Sequence, residues 1–540
     1  MSWRKKAFDD LPALSVRGKP LRSALRTVTI AWMFGVVWMS CISGAQMNRF
    51  GKLLGFTNKE FGYMSAIAFA AYFAQLVAAA MIERTGLRKY QFILYACLHR
   101  ALWLAIAAVP LVLSPGPGAI TAFLTIYAIG AVLAHISMPP WYNWMGDLIP
   151  RRIRGRYLAN RRLWTIPIQI MAVMGTGLIL DLATRKGPGG AAIEEFTVQT
   201  QPYLLWAISG IFAVGAIFGI IDVLLFLRMR EIVSPPLLNG SGAKKQRPLA
   251  ALEAGLSGMG RFLVEAVKDR TFLNYSLYGA TIAFSMTVGG FFFVRNAMEN
   301  IGYSSFGTNI VFMVCGGITS LLTARLWGRL TDRWGRRPVL ILCTAGVVFS
   351  PIGWFVIPPC GPGGLWLAYL IGASTCMFGA IMWSGINLAQ TGIILGFSQS
   401  AGRSKYVATA AAFTAVGGFA GGLVGGHLAE LFDYLQKAPI VVGPFRWNNW
   451  HLTFMVSMAA RAAAILWLIG MPDPGATPFR DVMRRIRFNA YNNVMPRLFW
   501  PLRSVGQWRA RRQRKNGNST KRSWVLRLFP RRRKRRDTAA

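Results

Sequence analysis

Arg100 and Asp222 are charged residues that stand inside long apolar stretches of the sequence. Ionised side chains are costly to bury in hydrocarbon unless they are paired or face water. Asp222 is the one acid set well inside such a stretch, and it lies at a similar depth to Arg100 if both stretches cross a membrane as helices. We therefore predict an intramembrane ion pair. Two roles stay open for it: a structural pair, or a site for anion binding or proton transfer.

Enzyme chemistry has no comparable support in the sequence. There is no nucleophile elbow, no metal-binding pair of histidines and no phosphate-binding loop. The cysteines show neither metal-ligand spacing nor a disulfide framework, and the histidines are scattered singly. We therefore expect no enzymatic activity, no metal site and no cofactor.

A short charged loop joins two apolar stretches at residues 328–338, with the sequence GRLTDRWGRRP. The alternative to a specific motif is an ordinary turn, since tight loops between membrane helices favour Gly and Arg. The pattern resembles the loop signature of the major facilitator superfamily of secondary transporters. The matching positions are Gly328, Leu330, Thr331, Asp332, Arg333, Gly335, Arg336 and Arg337.

The resemblance, which covers about residues 25–470, implies an all-α polytopic membrane protein with twelve transmembrane helices in two pseudo-symmetric six-helix bundles. It also implies transport of a small solute by alternating access between the two bundles. Asp332 would accept hydrogen bonds at the start of a neighbouring helix, and the loop arginines would pair with acids on adjacent helix ends. The competing hypothesis is a membrane sensor or scaffold that signals through its basic tail without transporting anything.

Composition agrees with a membrane protein. Of 540 residues, 54 % are apolar and only 15 % are charged, which is not the balance of a soluble chain. Apolar stretches of about 20 residues, each long enough to cross a bilayer, recur along the chain. We name them spans 1 to 12, at residues 27–46, 61–82, 90–113, 118–146, 164–183, 203–227, 272–294, 305–328, 338–358, 364–392, 406–429 and 451–470.

The net charge of +41 is distributed unevenly across these spans. Most Lys and Arg fall in loops on one side, which the positive-inside rule assigns to the cytoplasm together with both termini. We therefore expect a multi-pass protein of the cytoplasmic membrane, of the bacterial inner-membrane type. Residues 1–26 are polar and basic, and we expect no removable signal peptide there.

An internal repeat relates the two halves at a shift of 249 residues. It takes Glu83 to Asp332, Gly177 to Gly426 and Asp181 to Glu430, as expected for two related six-helix units. We accordingly divide the chain into a cytoplasmic segment (1–26), an N half (27–228), a linker (229–270), a C half (271–470) and a basic tail (471–540).

The first copy of the loop motif departs from the family pattern. It has Glu83 in place of Asp, Ala79 where Gly is expected and Leu87 at one basic position, whereas Arg84 and Arg88 match the second copy. Asp147, at the end of span 4, is the candidate partner of Arg84 or Arg88. The alternative is that Asp147 balances the Arg-rich run that follows it.

The resemblance makes spans 1, 4, 7 and 10 line the central cavity. Their polar and aromatic residues are then the substrate-site candidates, although packing between helices or anchoring at the membrane surface would explain them equally well. The candidates are Trp38, Gln46, His135, Trp141, Tyr142, Asn143, Asn274, Tyr278, Trp383, Asn387 and Gln390. His135 is the one titratable candidate among them for coupling transport to protons.

The tail from residue 471 to 540 holds 20 Lys and Arg against 3 Asp. A helix starting near Pro478 would place Phe479, Val482 and Met483 on one face, a pattern suited to an anionic lipid surface. A disordered tail that only fixes topology is the alternative, and we expect no nucleic acid as partner. We expect a small-molecule substrate, possible coupling to a proton, and a monomer.

Overall fold

The computed structural model describes residues 19–85, 88–185, 199–229, 268–360, 365–397, 403–471, 473 and 476–489. Residues 1–18, most of the predicted linker and residues 490–540 of the predicted tail lie outside the described residues. The chain divides into two compact units, Met1–Pro474 and Gly475–Ala540. The second unit contributes one described helix, Phe479–Asn489.

The N half is built from helices. Proline opens two of them, at a position where the missing backbone N–H is not needed. The helices are α1 (Lys19–Cys41), α2 (Ala45–Leu54), α3 (Asn58–Ala70), α4 (Ala74–Thr85), α5 (Arg88–Val112), α6 (Pro117–Leu148), α7 (Arg151–Ala183) and α8 (Pro202–Leu224).

The C half repeats this arrangement and adds a small hairpin. Its elements are α9 (Arg270–Arg295), α10 (Ser305–Asn309), α11 (Gly316–Trp334), α12 (Arg336–Phe349), α13 (Leu365–Phe397), α14 (Arg403–Leu431), α15 (Tyr434–Lys437), β1 (Ile440–Val442), β2 (Phe445–Trp447) and α16 (Asn449–Ile469). The strands pair antiparallel, with Val442 opposite Phe445. The helix of the second unit is α17 (Phe479–Asn489).

Eleven described helices are long and apolar enough to cross a membrane. They correspond to all predicted spans except span 2, which is made of α3 and α4 joined by a 3₁₀ turn at Ala71–Phe73. Span 8 runs from α10 through a π-helical segment, Ile310–Cys315, into α11. The all-α polytopic fold predicted from the sequence is confirmed.

One predicted span boundary is wrong, and one helix extends beyond its predicted span. Span 1 ends at Cys41 instead of residue 46, because the chain turns at Gly44, where φ is 82°, a backbone conformation that favours glycine. The helix of span 5 begins at Arg151 instead of residue 164. Its Arg-rich start is helical although it is too polar to belong to the apolar stretch.

The internal repeat is visible in the helix boundaries. Shifted by 249 residues, α6 would cover 366–397, and α13 covers Leu365–Phe397. The same shift takes α7 to 400–432, against Arg403–Leu431 for α14. In both pairs the shifted helix ends therefore agree to within three residues.

Residues 149–150 and Gly335 connect helices at one end of the spans, and we call this end the basic face. The other end, with α2 and the hairpin, is the opposite face. Spans 1, 3 and 6 pack together in the N half, and spans 7, 11 and 12 in the C half. Between the halves, α3 packs on span 11, and α10 packs on span 5.

Spans 7 and 11 approach each other closely enough to require glycine. A Cβ at Gly417 would collide with the backbone carbonyl of Ala280. We expect Gly417→Ala to destabilise the protein by about 1–3 kcal/mol, the usual cost of overpacking. The measurement is thermal unfolding of the detergent-purified protein. Gly317→Ala is the matched control, because a Cβ there meets no atom within 4 Å, and equal melting temperatures for the two variants would contradict the prediction.

Candidate functional site

A cavity of about 510 Å³ lies within the N half and reaches the C half at Phe291. Spans 1, 3, 4 and 6 supply most of its wall. The aromatic residues in the wall are Trp32, Trp38, Phe92, Trp103, Tyr127, Trp141, Tyr142, Phe226 and Phe291. Methionines and few polar groups complete it, so the cavity is apolar apart from a small charged region.

Trp32, Trp141 and Tyr142 form the part of the wall toward the basic face. Trp32 stacks on Trp141 with ring centroids 6.1 Å apart, and Tyr142 packs edge-on against Trp141 at 5.1 Å. The guanidinium of Arg161 lies 4.8 Å from the ring of Trp32. Stacked aromatic faces of this kind can hold another flat ring.

The charged region is the pair formed by Arg100 and Asp222. Arg100 Nη2 donates to Asp222 Oδ2 at 3.2 Å, and the side chains are 12 % and 4 % exposed. The guanidinium also lies 4.3 Å from the ring of Trp38, a cation–π contact that helps to hold the charge in an apolar wall. Both partners face the cavity.

Gly35 makes room for this pair. A Cβ at position 35 would lie 3.0 Å from Asp222 Oδ2, closer than side-chain carbons normally approach. His99 packs edge-on against Trp38 at 5.4 Å and accepts a hydrogen bond from Trp103 Nε1 at 3.4 Å. The region thus combines one cation, one anion and aromatic faces.

The predicted N-half candidates divide in the structure. Trp38, Trp141 and Tyr142 line the cavity. Asn143 is exposed next to it. His135 instead bonds Gln75 Nε2 at 3.0 Å and lines a smaller adjacent cavity of about 200 Å³.

Gln46 lies away from the cavity and is fully buried. Its Nε2 donates to Thr176 Oγ1 at 2.5 Å and to Ser40 O at 3.0 Å. Asn309 of the C half donates to Gln46 Oε1 at 3.4 Å. Gln46 therefore belongs to a contact between the halves.

The predicted C-half candidates do not belong to the described cavity lining. The hydroxyl of Tyr278 bonds Thr344 Oγ1 at 2.8 Å inside the C half. Trp383 packs under Arg461 at 5.8 Å. Gln390 and Asn274 are half-buried, and Asn387 is exposed.

Apart from Arg100 and Asp222, sequence reasoning missed the cavity residues on spans 3 and 6 and several on span 1. Trp32, Gly35, Trp38 and Ile42 all line the cavity and stand at intervals close to helical spacing. That spacing was a usable signal, because residues three or four apart share one face of a helix. Trp103 likewise stands three residues after Arg100.

The loop motif of the basic face makes contacts of a different kind from those expected. Arg337 Nε donates to Leu468 O at 2.9 Å, and its Nη2 donates to Ile469 O, at the end of span 12. The backbone N–H of Arg337 donates to Asp473 Oδ2 at 2.8 Å. Arg337 therefore caps a helix C-terminus, where cations are favoured.

The remaining members of the motif are accessible. Asp332, Arg333 and Arg336 are exposed, and Asp332 forms no ion pair with a described side chain. Arg88 is half-buried at the start of span 3. The side chains of Glu83, Arg84 and Asp147 lie outside the described residues, so the gating role of the motif stays a prediction.

Two carboxylates close the opposite face by capping helices of the other half. Asp181, at the end of span 5, accepts the backbone N–H groups of Ser305 and Phe306 at 2.7 and 2.9 Å. Glu430, at the end of span 11, accepts the backbone N–H of Asn58 at 3.1 Å. A helix N-terminus has free donors and a favourable dipole for an anion.

The two caps are related by the internal repeat, as are the glycines beside them. A Cβ at Gly177 would lie 2.8 Å from Phe306 Cα, and one at Gly426 would lie 3.0 Å from Gly62 Cα. Close backbone approach and a carboxylate cap thus occur together at both places where the halves meet.

Side-chain hydrogen bonds complete this closure. Asn58 Oδ1 accepts from Arg295 Nη1 at 2.7 Å and from Trp450 Nε1 at 2.9 Å. Arg295 also pairs with Glu299 at 3.1 Å. Burial lowers the pKa of the nearby Arg49 guanidinium. The negative charges of Asp181 and Glu299 raise this pKa and so offset part of the effect of burial.

We expect Asp181→Asn and Glu430→Gln each to open the opposite face. Charge-assisted hydrogen bonds are worth about 1.5–3 kcal/mol, so losing the charge shifts the closed-to-open ratio about tenfold or more. The measurement is the electron–electron distance between spin labels at positions 114 and 441, with the six native cysteines replaced. Both positions are exposed on that face.

Glu60→Gln is the matched control, since the described hydrogen bonds of Glu60 are to its neighbour Thr57 within the same half, at 2.7 and 2.6 Å. A closed distance that is unchanged in both cap variants would overturn the assignment of Asp181 and Glu430 as the closure.

Comparison with known proteins gives the family and the fold. Residues 27–397 match the family model of the Major Facilitator Superfamily. Among curated proteins, no sequence matches the chain.

Solved structures with the same fold include three transporters. A D-xylose-proton symporter aligns with a TM-score of 0.59 and 14 % identity, over 85 % of this chain and 100 % of its own. The xylose transporter XylE from E. coli, in an inward-open conformation, aligns with a TM-score of 0.55 and 15 % identity, over 86 % and 99 % of the chains. The nucleoside transporter NupG aligns with a TM-score of 0.52 and 14 % identity, over 83 % and 99 %.

Identities this low show a shared fold and carry no statement about the substrate. The family match covers more than half of the chain and is independent of them. The loop motif, the twelve spans and the family model agree, and the resemblance stated from the sequence is confirmed. The chain belongs to the Major Facilitator Superfamily and is a membrane transporter of small solutes that works by alternating access.

Proposed function

We propose that this transporter carries a small, flat organic solute of aromatic or largely apolar character. The observation that carries the proposal is the wall of the cavity, which contains the stacked rings of Trp32 and Trp141 together with Tyr142, Arg100 and Asp222. A volume of about 510 Å³ is in the range of cavities that enclose small organic ligands.

The polar groups of the cavity argue against a sugar-like solute. Ser43 Oγ donates to Met39 O at 2.6 Å, and Ser137 Oγ donates to Ala134 O at 2.7 Å. Each buried hydroxyl of a polyol needs a partner, and an unsatisfied one costs about 1–3 kcal/mol. A solute with one polar group and an apolar body fits this wall better.

We propose that the basic face is cytoplasmic and that the conformation described is open to the cytoplasm. The positive-inside rule supports this orientation, as does the basic composition of residues 471–540. The contacts that close the opposite face join Asp181 and Glu430 to the other half. On this orientation the protein lies in a cytoplasmic membrane, of the bacterial inner-membrane type, with both termini inside.

We divide the chain into an N half (27–228), a linker (229–270) and a C half (271–470). The agreement of helix ends between α6 and α13, and between α7 and α14, supports this division. One chain supplies the cavity and both carboxylate caps. A monomer is therefore sufficient for the proposed cycle.

Binding of flat aromatic solutes tests the proposed substrate class. We expect such solutes to raise the melting temperature of the purified protein and to support counterflow in reconstituted vesicles, whereas pentoses and nucleosides do neither. Trp141→Ala should weaken aromatic binding about three- to tenfold, because stacked aromatic contacts are worth about 0.5–1.5 kcal/mol.

Trp366→Ala is the matched control, since Trp366 is 69 % exposed at the start of span 10 and does not line the cavity. Stabilisation and counterflow by pentoses alone would sink the proposed substrate class. Loss of solute binding in both variants would contradict a specific contact between Trp141 and the solute.

We further propose that α17 lies on an anionic lipid surface. Its exposed apolar residues Phe479 and Met483 stand four positions apart and share one face of the helix, and Arg480, Arg484, Arg485 and Arg487 lie on the rest of its surface. Each basic residue near an anionic leaflet contributes about 1 kcal/mol, and the apolar face can enter the headgroup region.

A dye at position 483 reports on this contact. With Met483→Cys labelled by an environment-sensitive fluorophore in a cysteine-free background, we expect a blue shift in anionic nanodiscs. Replacing the four arginines by Gln should remove the shift, and zwitterionic nanodiscs should give little shift for either protein. An equal shift in both lipids would contradict a charge-dependent contact.

A further inference from the structure

The ion pair in the cavity wall is only partly satisfied. Arg100 Nη2 bonds Asp222 Oδ2 at 3.2 Å, and Arg100 Nη1 reaches Ala96 O at 3.5 Å. Asp222 Oδ1, Arg100 Nε and Trp38 Nε1 have no hydrogen-bond partner among the described residues. A buried pair that served only to hold the fold together would normally have its remaining donors and acceptors satisfied.

Few other charged groups face Asp222. Arg100 is the charged side chain in contact with it, and span 3 also brings Cys97 and His99 nearby. At the basic end of span 3, Lys89 Nζ is bonded to Leu227 O and Met229 O at 2.9 and 2.6 Å. Span 1 contributes Cys41, which packs on Gly215, and span 5 contributes Arg161, which is stacked on Trp32. The charge state of Asp222 therefore controls the charge that Arg100 presents to the cavity.

We propose that this transporter carries an organic anion, a carboxylate on an aromatic or apolar body, together with one proton. Asp222 takes up the proton on its carboxylate and releases Arg100. The freed guanidinium N–H groups then donate to the carboxylate of the solute, while the solute's ring lies against Trp32 and Trp141. This inference rests on the proposed aromatic solute and adds its charged group and its coupling ion.

Charge balance favours this coupling. The empty cavity holds Arg⁺ and Asp⁻, with net charge zero. The loaded cavity holds Arg⁺, neutral Asp222 and the solute carboxylate, again with net charge zero. A carboxylate bound without a proton would leave one uncompensated negative charge in the membrane, which is costly. One proton and one anion moving together also make transport electroneutral.

Proton uptake during binding tests the coupling directly. Phenylacetate is the probe, and phenylacetamide is its neutral counterpart. In weakly buffered solution above neutral pH, we expect the full-length protein to take up about one proton per phenylacetate bound and none per phenylacetamide. The apparent affinity for phenylacetate should fall about tenfold per pH unit where Asp222 is charged in the free protein, because binding is then linked to one proton.

Substitutions separate the two roles. Asp222→Asn resembles the protonated state, so we expect phenylacetate binding without proton uptake, and counterflow without accumulation by a pH gradient. Arg100→Gln should lose phenylacetate binding at least tenfold while it keeps phenylacetamide. Should Asp222→Asn fail to fold, the Arg100→Gln/Asp222→Asn double variant leaves no lone charge, and it should bind phenylacetamide but not phenylacetate. Glu60→Gln is the control that leaves proton uptake unchanged.

The outcomes are distinguishable. Binding of phenylacetamide but not phenylacetate to the unaltered protein overturns the anion site and leaves the proposed aromatic substrate class standing. Phenylacetate binding without proton uptake at any pH, or pH-driven accumulation by Asp222→Asn, overturns the coupling. Binding of neither compound, with pentoses bound instead, overturns the proposed function itself.

Discussion

A charge inside the hydrocarbon layer must be neutralised by the protein itself, and this constraint organises the membrane-embedded part of the chain. Arg100 meets it through Asp222 and the face of Trp38. Arg461 meets it without an ion pair among the described residues: its Nη1 donates to Val347 O at 2.8 Å and to Ser350 Oγ at 2.9 Å. These acceptors lie at the C-terminal end of α12, where the helix dipole is negative. The partners of Arg461 are a carbonyl and a hydroxyl, which are neutral groups, whereas the partner of Arg100 is a carboxylate.

The same physics closes the opposite face with backbone groups. Asp181 and Glu430 bind N–H donors that every helix start leaves free, so these two caps themselves need no particular side chain at Ser305, Phe306 or Asn58. Gly177 and Gly426 let the backbones approach closely enough for these bonds to form. A shared repeat explains why both caps have the same construction.

Much of the architecture was readable from the sequence, for physical reasons. Apolar length sets the spans, and repeated landmarks set the shift of 249 residues. The meeting of Arg100 and Asp222 was readable from depth alone, because two charges in hydrocarbon have few other solutions. The sequence also showed that Asp181 and Glu430 correspond under this shift. It did not show that they cap helices, because their partners are backbone N–H groups, which every residue type except proline carries.

The cavity wall was only partly readable. Trp38 and Trp141 line it as expected, whereas Tyr278 packs on Thr344. Span 6 illustrates one reason why part of the wall was not predicted. It is apolar all round, and such helices carry no periodic signal that identifies the face toward a cavity. Arg337 was expected to pair with an acid side chain, but its guanidinium binds the backbone carbonyls of Leu468 and Ile469. Backbone acceptors of this kind cannot be recognised from residue types.

Alternating access requires that closing one face costs little more than opening it. The caps at Asp181 and Glu430 suit this requirement, since water can replace each of their hydrogen bonds when the face opens, which limits the net free energy of each bond to about 1.5–3 kcal/mol. The glycine contacts beside them separate without leaving large side chains exposed. The cavity adds a second condition, because its net charge has to remain constant through the cycle. Exchange of a proton between solvent and Asp222, matched by a carboxylate on Arg100, meets that condition without moving charge across the bilayer.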